Sequence, residues 1–286
     1  MSGYNDKDMK DLIEEGFTLL TAQCYLNPHS PFSNKRCSEA VVKKILERYN
    51  PDVNAQEPTY GWTALYCACL NGNAEVVELL IRHKANPSIK AFDGSTPLIA
   101  TMMHVSTVST AHRIALALLR AHNNINAANA KGETALYHAV MGSWVMRDRS
   151  SGDKMHMTEF YGDAQIPNFL IRCGADVNAL AEGSPILVRA CDPESTASAG
   201  AVEILLKSGA DVNARDAEGR TALMRINEDP TVEAYTRNEE GWTDIMRIND
   251  DPKGYDNYKK AKHLLEYWAD EWEELPQSLS DEWVQL

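Results

Sequence analysis

LLKSGADVNARDAEGRTALM, residues 205–224, contains a helix end, a loop, a turn and the start of a new helix. Leu205 and Leu206 close an apolar stripe, and Gly209 permits the left-handed residue that stops a helix. Asp211-Val-Asn-Ala then runs as a loop. Gly219 allows a second positive φ. Thr221 is placed to accept a hydrogen bond from the first N–H groups of a helix opening at Ala222. The stretch holds no nucleophile beside a base, no working pair of acids and no metal cluster. It is a structural joint, and the chain repeats it.

Three elements recur. The first is Gly-x-Thr-x-Leu: GFTLL at 16, GWTAL at 61, GSTPL at 94, GETAL at 132, GRTAL at 219, GWTDI at 241 and a degraded EGSPIL at 182. The second is a helical stripe with apolar residues at i, i+3 and i+4. It appears as Val42/Ile45/Leu46, Val76/Leu79/Leu80, Ala115/Leu118/Leu119, Ile166/Phe169/Leu170, Val202/Leu205/Leu206 and Ala261/Leu264/Leu265. The third is the loop PDVNA, ANPSI, NNINA, GADVNA and GADVNA, reduced to Ala269-Asp270 at the last stripe. Pro97 and Pro185 fit the first helical position, where a missing N–H costs nothing, and Asp244 suits the helix dipole there. A stripe this narrow can be buried only against a neighbouring unit.

The combination resembles the ankyrin repeat, with its T-P-L-H-x-A opening, leucine-rich second helix and G-A-D-V-N loop. The resemblance runs from about residue 12 to about 272 and implies an all-α ankyrin-repeat solenoid of about six irregular repeats, each a helix-turn-helix joined to the next by a hairpin loop. Repeats are expected near 12–56, 57–90, 91–128, 129–179, 180–214 and 215–272, forming a single domain over 1–272. The last contains a duplicated half-unit at 219–252, where GRTALMRINEDP is echoed by GWTDIMRINDDP. Residues 273–286 read as an acidic C-terminal cap or tail. The family's His after Leu is replaced throughout, by Tyr66, Ile99, Tyr137, Leu187, Met224 and Met246.

The spacing is irregular. Thr63 and Leu79 lie 16 residues apart, the compact value, whereas Thr18 to Ile45 spans 27, Thr96 to Leu118 spans 22 and Thr134 to Phe169 spans 35. The two remaining units, Ser184 to Leu205 and Thr243 to Leu264, each span 21. The excess falls between the two helices of a unit, near 25–37, 104–110, 141–163, 192–199 and 250–258. The longest of these segments mixes Arg147, Arg149 and Lys154 with Trp144, Met155 and Met157. Such a connection is either a solvated loop or a binding lobe.

A net charge of −13 and 44% hydrophobic residues describe a folded acidic chain. Acidity argues against nucleic acid, whose phosphates need Lys and Arg, and against anionic membranes. The expected partner is a protein, with a basic and apolar segment. The six cysteines show no CxxC pair and read as free thiols of a reducing compartment. The polar, acidic N-terminus lacks a signal-peptide pattern, so a cytoplasmic or nuclear location is expected. Oligomeric state is left open.

No cofactor or metal is expected. His156 has no second ligand at metal spacing, and Cys67 and Cys69 diverge on a helix. In ankyrin proteins the residue between the turn Gly and the helix Thr lies at the hairpin, and the first helix lines the concave face. These hairpin positions are Phe17, Trp62, Ser95, Glu133, Arg220 and Trp242. Trp and Arg dominate interface energies. The residues expected to contact a partner are therefore Phe17, Trp62, Glu133, Arg220 and Trp242, with Trp144 in the long insertion. Packing on the neighbouring hairpin is the alternative for either Trp. Tyr66 and Tyr137 read as partly buried structural replacements.

The leading expectation is a non-enzymatic scaffold or adaptor. The first alternative is an enzyme or small-ligand binder walled by the insertions, with Arg147, His156 and Glu159 as first candidates. The second is an adaptor in a degradation or signalling assembly that uses the tail.

Overall fold

Each described threonine that follows a turn glycine starts a helix. A computed structural model describes residues 16, 18–25, 37–104, 107–142, 164–192, 195, 197 and 199–227. Helix α1 (Leu19–Tyr25) opens behind Thr18, whose hydroxyl oxygen accepts Thr21 N–H at 3.1 Å. Thr63, Thr134 and Thr221 do the same for α3 (Ala64–Leu70), α7 (Ala135–Met141) and α11 (Ala222–Asn227). Thr96 caps α5 (Pro97–His104), which places Pro97 at the first helical position as expected. These caps satisfy N–H groups that no helix can satisfy internally.

The second helices are α2 (Glu39–Tyr49), α4 (Ala74–Arg82), α6 (Val108–Arg120), α8 (Gln165–Arg172) and α10 (Ala199–Lys207). The apolar stripes read from sequence are their buried faces, with Leu80, Leu118, Leu170 and Leu205 fully enclosed. First helices stack in one layer, α1, α3, α5, α7, α9 (Ile186–Ala190) and α11, and second helices stack in the other. The core lies between the layers and runs unbroken from Leu20 to Ile226.

The loops lock one unit to the next. Asn54 accepts Asn86 N–H at 2.8 Å, Asn126 accepts Asp176 N–H at 2.8 Å, and Asn178 accepts Asp211 N–H at 2.9 Å. The hairpins form a second ladder, with Phe92 N–H on Tyr60 O at 2.8 Å and Ala130 N–H on Asp93 O at 2.9 Å. Gly94 is required by this ladder. Its φ is +82°, and a Cβ there would meet Ala130 N at 2.8 Å.

Two expectations shift. The excess near 104–110 is largely helix: Thr107 caps α6 through Thr110 N–H, and α6 runs 13 residues against 9 in α4. Pro185 stands one residue before its helix. It belongs to a two-residue strand, β2 (Ser184–Pro185), paired antiparallel with β1 (Leu180–Ala181), and Ile186 N–H is held by Ala179 O at 3.2 Å. The turn captures the residue that the helix would have begun on. Elsewhere α7 ends at Met141 and α8 begins at Gln165, while α9 ends at Ala190 and α10 begins at Ala199.

Candidate partner-binding face

The hairpins carry the candidate site, and buried acceptors set their shape. Glu57 is fully enclosed and turns its carboxylate back on its own turn. It accepts Thr59 N–H at 2.7 Å, Tyr60 N–H at 2.6 Å and Trp62 N–H at 3.0 Å. Asn129 and Asp216 perform the same task in later units, accepting Lys131 and Glu133 N–H and Glu218 and Arg220 N–H respectively. A carboxylate that accepts several N–H groups organises a turn as a backbone bond would.

This turn presents Trp62 to three other rings. Tyr60 stacks at 4.6 Å between centroids, Tyr66 at 5.6 Å and Tyr25, from α1, at 5.7 Å, all within 25° of parallel. Tyr66 is buried, while Tyr25, Tyr60 and Trp62 are each half-buried. Trp62 therefore joins the core as well as the surface. On the adjacent hairpin Phe92 is 66% exposed, and its ring covers Gly61 so closely that a Cβ would meet it at 2.5 Å. Beside it the exposed Asp93 accepts Ser95 N–H at 2.8 Å and Ser95 Oγ–H at 2.9 Å.

The other candidate positions have different surroundings. Glu133 is buried, accepts Asn129 Nδ2–H at 2.6 Å and lies 3.3 Å from His138 Nε2. Burial holds His138 below its ordinary pKa, although Glu133 pulls the other way. Ser95 is buried in its own turn. Arg220 donates to Asp216 at 3.2 Å and to Glu218 at 2.7 Å. Arg225 adds a bond to Asp216 at 2.9 Å and an ion pair to Asp192 at 3.3 Å. Burial opposes ionisation of Asp216, but the Arg220 N–H and the two guanidinium groups hold its carboxyl below the ordinary range. Phe17, Trp144 and Trp242 lie outside the described residues, as do Arg147, His156 and Glu159.

Tyr66 and Tyr137, at the positions read as structural replacements, are both buried, more completely than expected. Of the six cysteines, five are buried and Cys173 is exposed. Burial pushes the Cys69 and Cys191 thiols up to about 12 and raises Cys67. The hydrogen bond that the Cys24 thiol donates to Cys37, then burial, raises Cys24. These thiols stay protonated, and only a thiolate is a nucleophile. Among the described residues no cluster of His, Cys, Asp or Glu could hold a metal ion. Among them, too, no helix is long and apolar enough to cross a membrane.

A family model described as ankyrin repeats in three copies matches residues 33–107. A solved ankyrin repeat domain from Acinetobacter baumannii AYE superposes with a TM-score of 0.54 over 80% of this chain and 92% of that one, at 21% sequence identity. The chain carries ankyrin repeats and has the ankyrin-repeat fold. Its curated relatives include the human ankyrin repeat and SOCS box protein 6, 29% identical over 177 residues, or 58% of this chain and 38% of the relative. The mouse protein of that name is 29% identical over 157 residues, covering 51% of this chain and 35% of the relative. The chain thus spans less than two fifths of the length of these relatives. Ankyrin repeats are a general protein–protein interaction fold.

Within this fold, sequence reasoning missed Tyr25, Tyr60, Phe92 and Asp93. Their signal was positional. Phe92 and Asp93 fill the hairpin two and one residues before the turn glycine, where repeats vary without cost to the core.

Proposed function

We propose that this ankyrin-repeat protein is a non-enzymatic interaction scaffold. It binds a partner protein across the first-helix (concave) face and the hairpin tips, with Trp62 and its neighbours as the main anchor. Phe17, Glu133, Trp144, Arg220 and Trp242 remain proposed contacts, in a repeat domain proposed to run to 272 with an acidic tail at 273–286. One observation carries the reading: a stack of four rings, three of them half-buried, beside a phenylalanine that is 66% exposed. Aromatic anchors that are rigid before binding lose little entropy on binding.

The test is affinity capture with the wild type and a Phe92→Ala/Tyr60→Ala variant, with melting curves confirming that both are folded. A specific protein retained by the wild type and lost from the variant supports the site. A partner retained equally by both moves it to the insertions. An adaptor role with a second protein on the tail has one observation in its favour. Relatives from human, orangutan and mouse are named as ankyrin repeat and SOCS box proteins. Deleting 273–286 then releases that second protein and leaves the first bound.

A further inference from the structure

Asp93 is an exposed hairpin carboxylate whose orientation is already fixed. One oxygen takes Ser95 N–H and the other takes Ser95 Oγ–H, at 2.8 and 2.9 Å. Each carboxylate oxygen can accept a further bond on its other lone pair. The Ser95 hydroxyl lies beside the Tyr66 hydroxyl, and the Tyr66 ring stacks on Trp62. The carboxylate is thus tied to one end of the ring stack, with Phe92 next to it.

The surrounding charge favours a cation. The chain carries −13, and the two nearest hairpin lysines are engaged: Lys90 Nζ–H on Ala128 O at 2.8 Å, and Lys131 with Glu182 at 3.3 Å. Another hairpin carboxylate of this protein shows how such a group is used. Asp216 receives the Nε–H groups of both Arg220 and Arg225. Among the described residues, Asp93 has no ion-pair partner.

We propose that Asp93 and the Tyr25–Tyr60–Trp62 stack form a subsite for one arginine of an extended, otherwise apolar segment of the partner protein. The guanidinium lies on the exposed part of the stack and pairs with Asp93, while flanking apolar residues cover Phe92. Arginine suits the site better than lysine because its planar head can stack and donate two parallel bonds at once. This proposal rests on the interaction reading above.

The probe is the peptide acetyl-Leu-Arg-Leu-Leu-amide, compared with analogues carrying citrulline or lysine in place of the arginine. Binding to the full chain is followed by NMR at the Trp62 indole N–H, assigned with Trp62→Phe. The expected result is a saturating shift with the arginine peptide, at least ten-fold weaker binding of the citrulline analogue, and loss of the shift in Asp93→Asn. Potassium chloride at 0.5 M weakens the arginine peptide as screening predicts. A melting curve checks the fold of Asp93→Asn. Phe92→Ala, which keeps the carboxylate, weakens arginine and lysine peptides alike. Equal binding of the citrulline analogue, an undiminished shift in Asp93→Asn, or no shift at millimolar peptide overturns the proposal. If partner capture still depends on Phe92 and Tyr60 in that case, the interaction reading stands and only the arginine subsite falls.

Discussion

Asn123→Ala should make this protein more stable. Asn123 follows α6 at the position where other units place Ala85, Ala175 and Ala210, each buried. The backbone is the same in all four: N–H to a second-helix carbonyl, at 3.3 Å for Asn123 on Leu118 O and 3.0 Å for the three alanines. The Asn123 side chain is buried, and among the described residues neither Oδ1 nor Nδ2 has a hydrogen-bond partner. Leaving an amide buried and unpartnered costs about 1–3 kcal/mol. Truncation to alanine removes that cost. It opens a space of about 30 Å³, worth about 0.7 kcal/mol at ~24 cal/mol per Å³. The net gain is about 0.3–2.3 kcal/mol. With an m-value of about 2 kcal/mol/M, the urea midpoint rises by about 0.2–1.1 M and the slope stays unchanged. Amide exchange at Ile114 and Leu118, both fully buried in α6, should slow in step. A midpoint that stays put or falls would refute the reasoning, because the amide would then be doing more for the fold than an alanine does.

Other substitutions test the joints and the buried charges. Gly94→Ala should cost about 2 kcal/mol or more in urea melts, since a left-handed φ is combined with a Cβ 2.8 Å from Ala130 N. Gly209→Ala, with nothing within 4 Å of its Cβ, should cost only the backbone term of about 1 kcal/mol. The folded-state pKa of His138 is depressed, chiefly by burial, so protons favour the unfolded chain. Its stabilising effect is full above pH ~6.5 and is lost as pH falls through the folded value. His138→Leu should therefore flatten the decline in melting temperature between about pH 7 and pH 5, and an unchanged profile assigns that decline to other groups. Asp216→Ala should cost about 1–3 kcal/mol because it removes the buried acceptor of Glu218 and Arg220 N–H and one partner each of Arg220 and Arg225, which keep Glu218 and Asp192, and it should expose α11 to proteolysis before the rest.

The fold was legible because its signals are local and repeated. A glycine turn, a capping threonine and a stripe of leucines each fix a few residues, and each recurs often enough to outvote a degraded copy such as EGSPIL. What failed to show in the sequence depends on two units meeting. Pro185 reads as a helix start until Ala179 O is seen to hold the next N–H. The excess near 104 reads as loop because nothing in the residues announces that Thr107, rather than a later residue, caps α6. The odd Asn123 could have been found by aligning the five loops, where it and Pro51 stand in place of alanine after a left-handed residue. Its burial could not.

The candidate site carries the same lesson further. Positions 62, 133 and 220 are one position of the repeat, and the backbone treats them alike. Their side chains meet different company: three rings for Trp62, Asn129 and His138 for Glu133, Asp216 and Glu218 for Arg220. Repeat position fixes where a side chain starts, and the neighbouring unit decides whether it is free to bind. Loss of binding in a Trp62→Ala variant would therefore say little, since removing that ring also unpacks Tyr25, Tyr60 and Tyr66. Phe92 discriminates better. It is 66% exposed and rests on a glycine that would survive its removal, so a binding defect there reports on a partner and not on the fold.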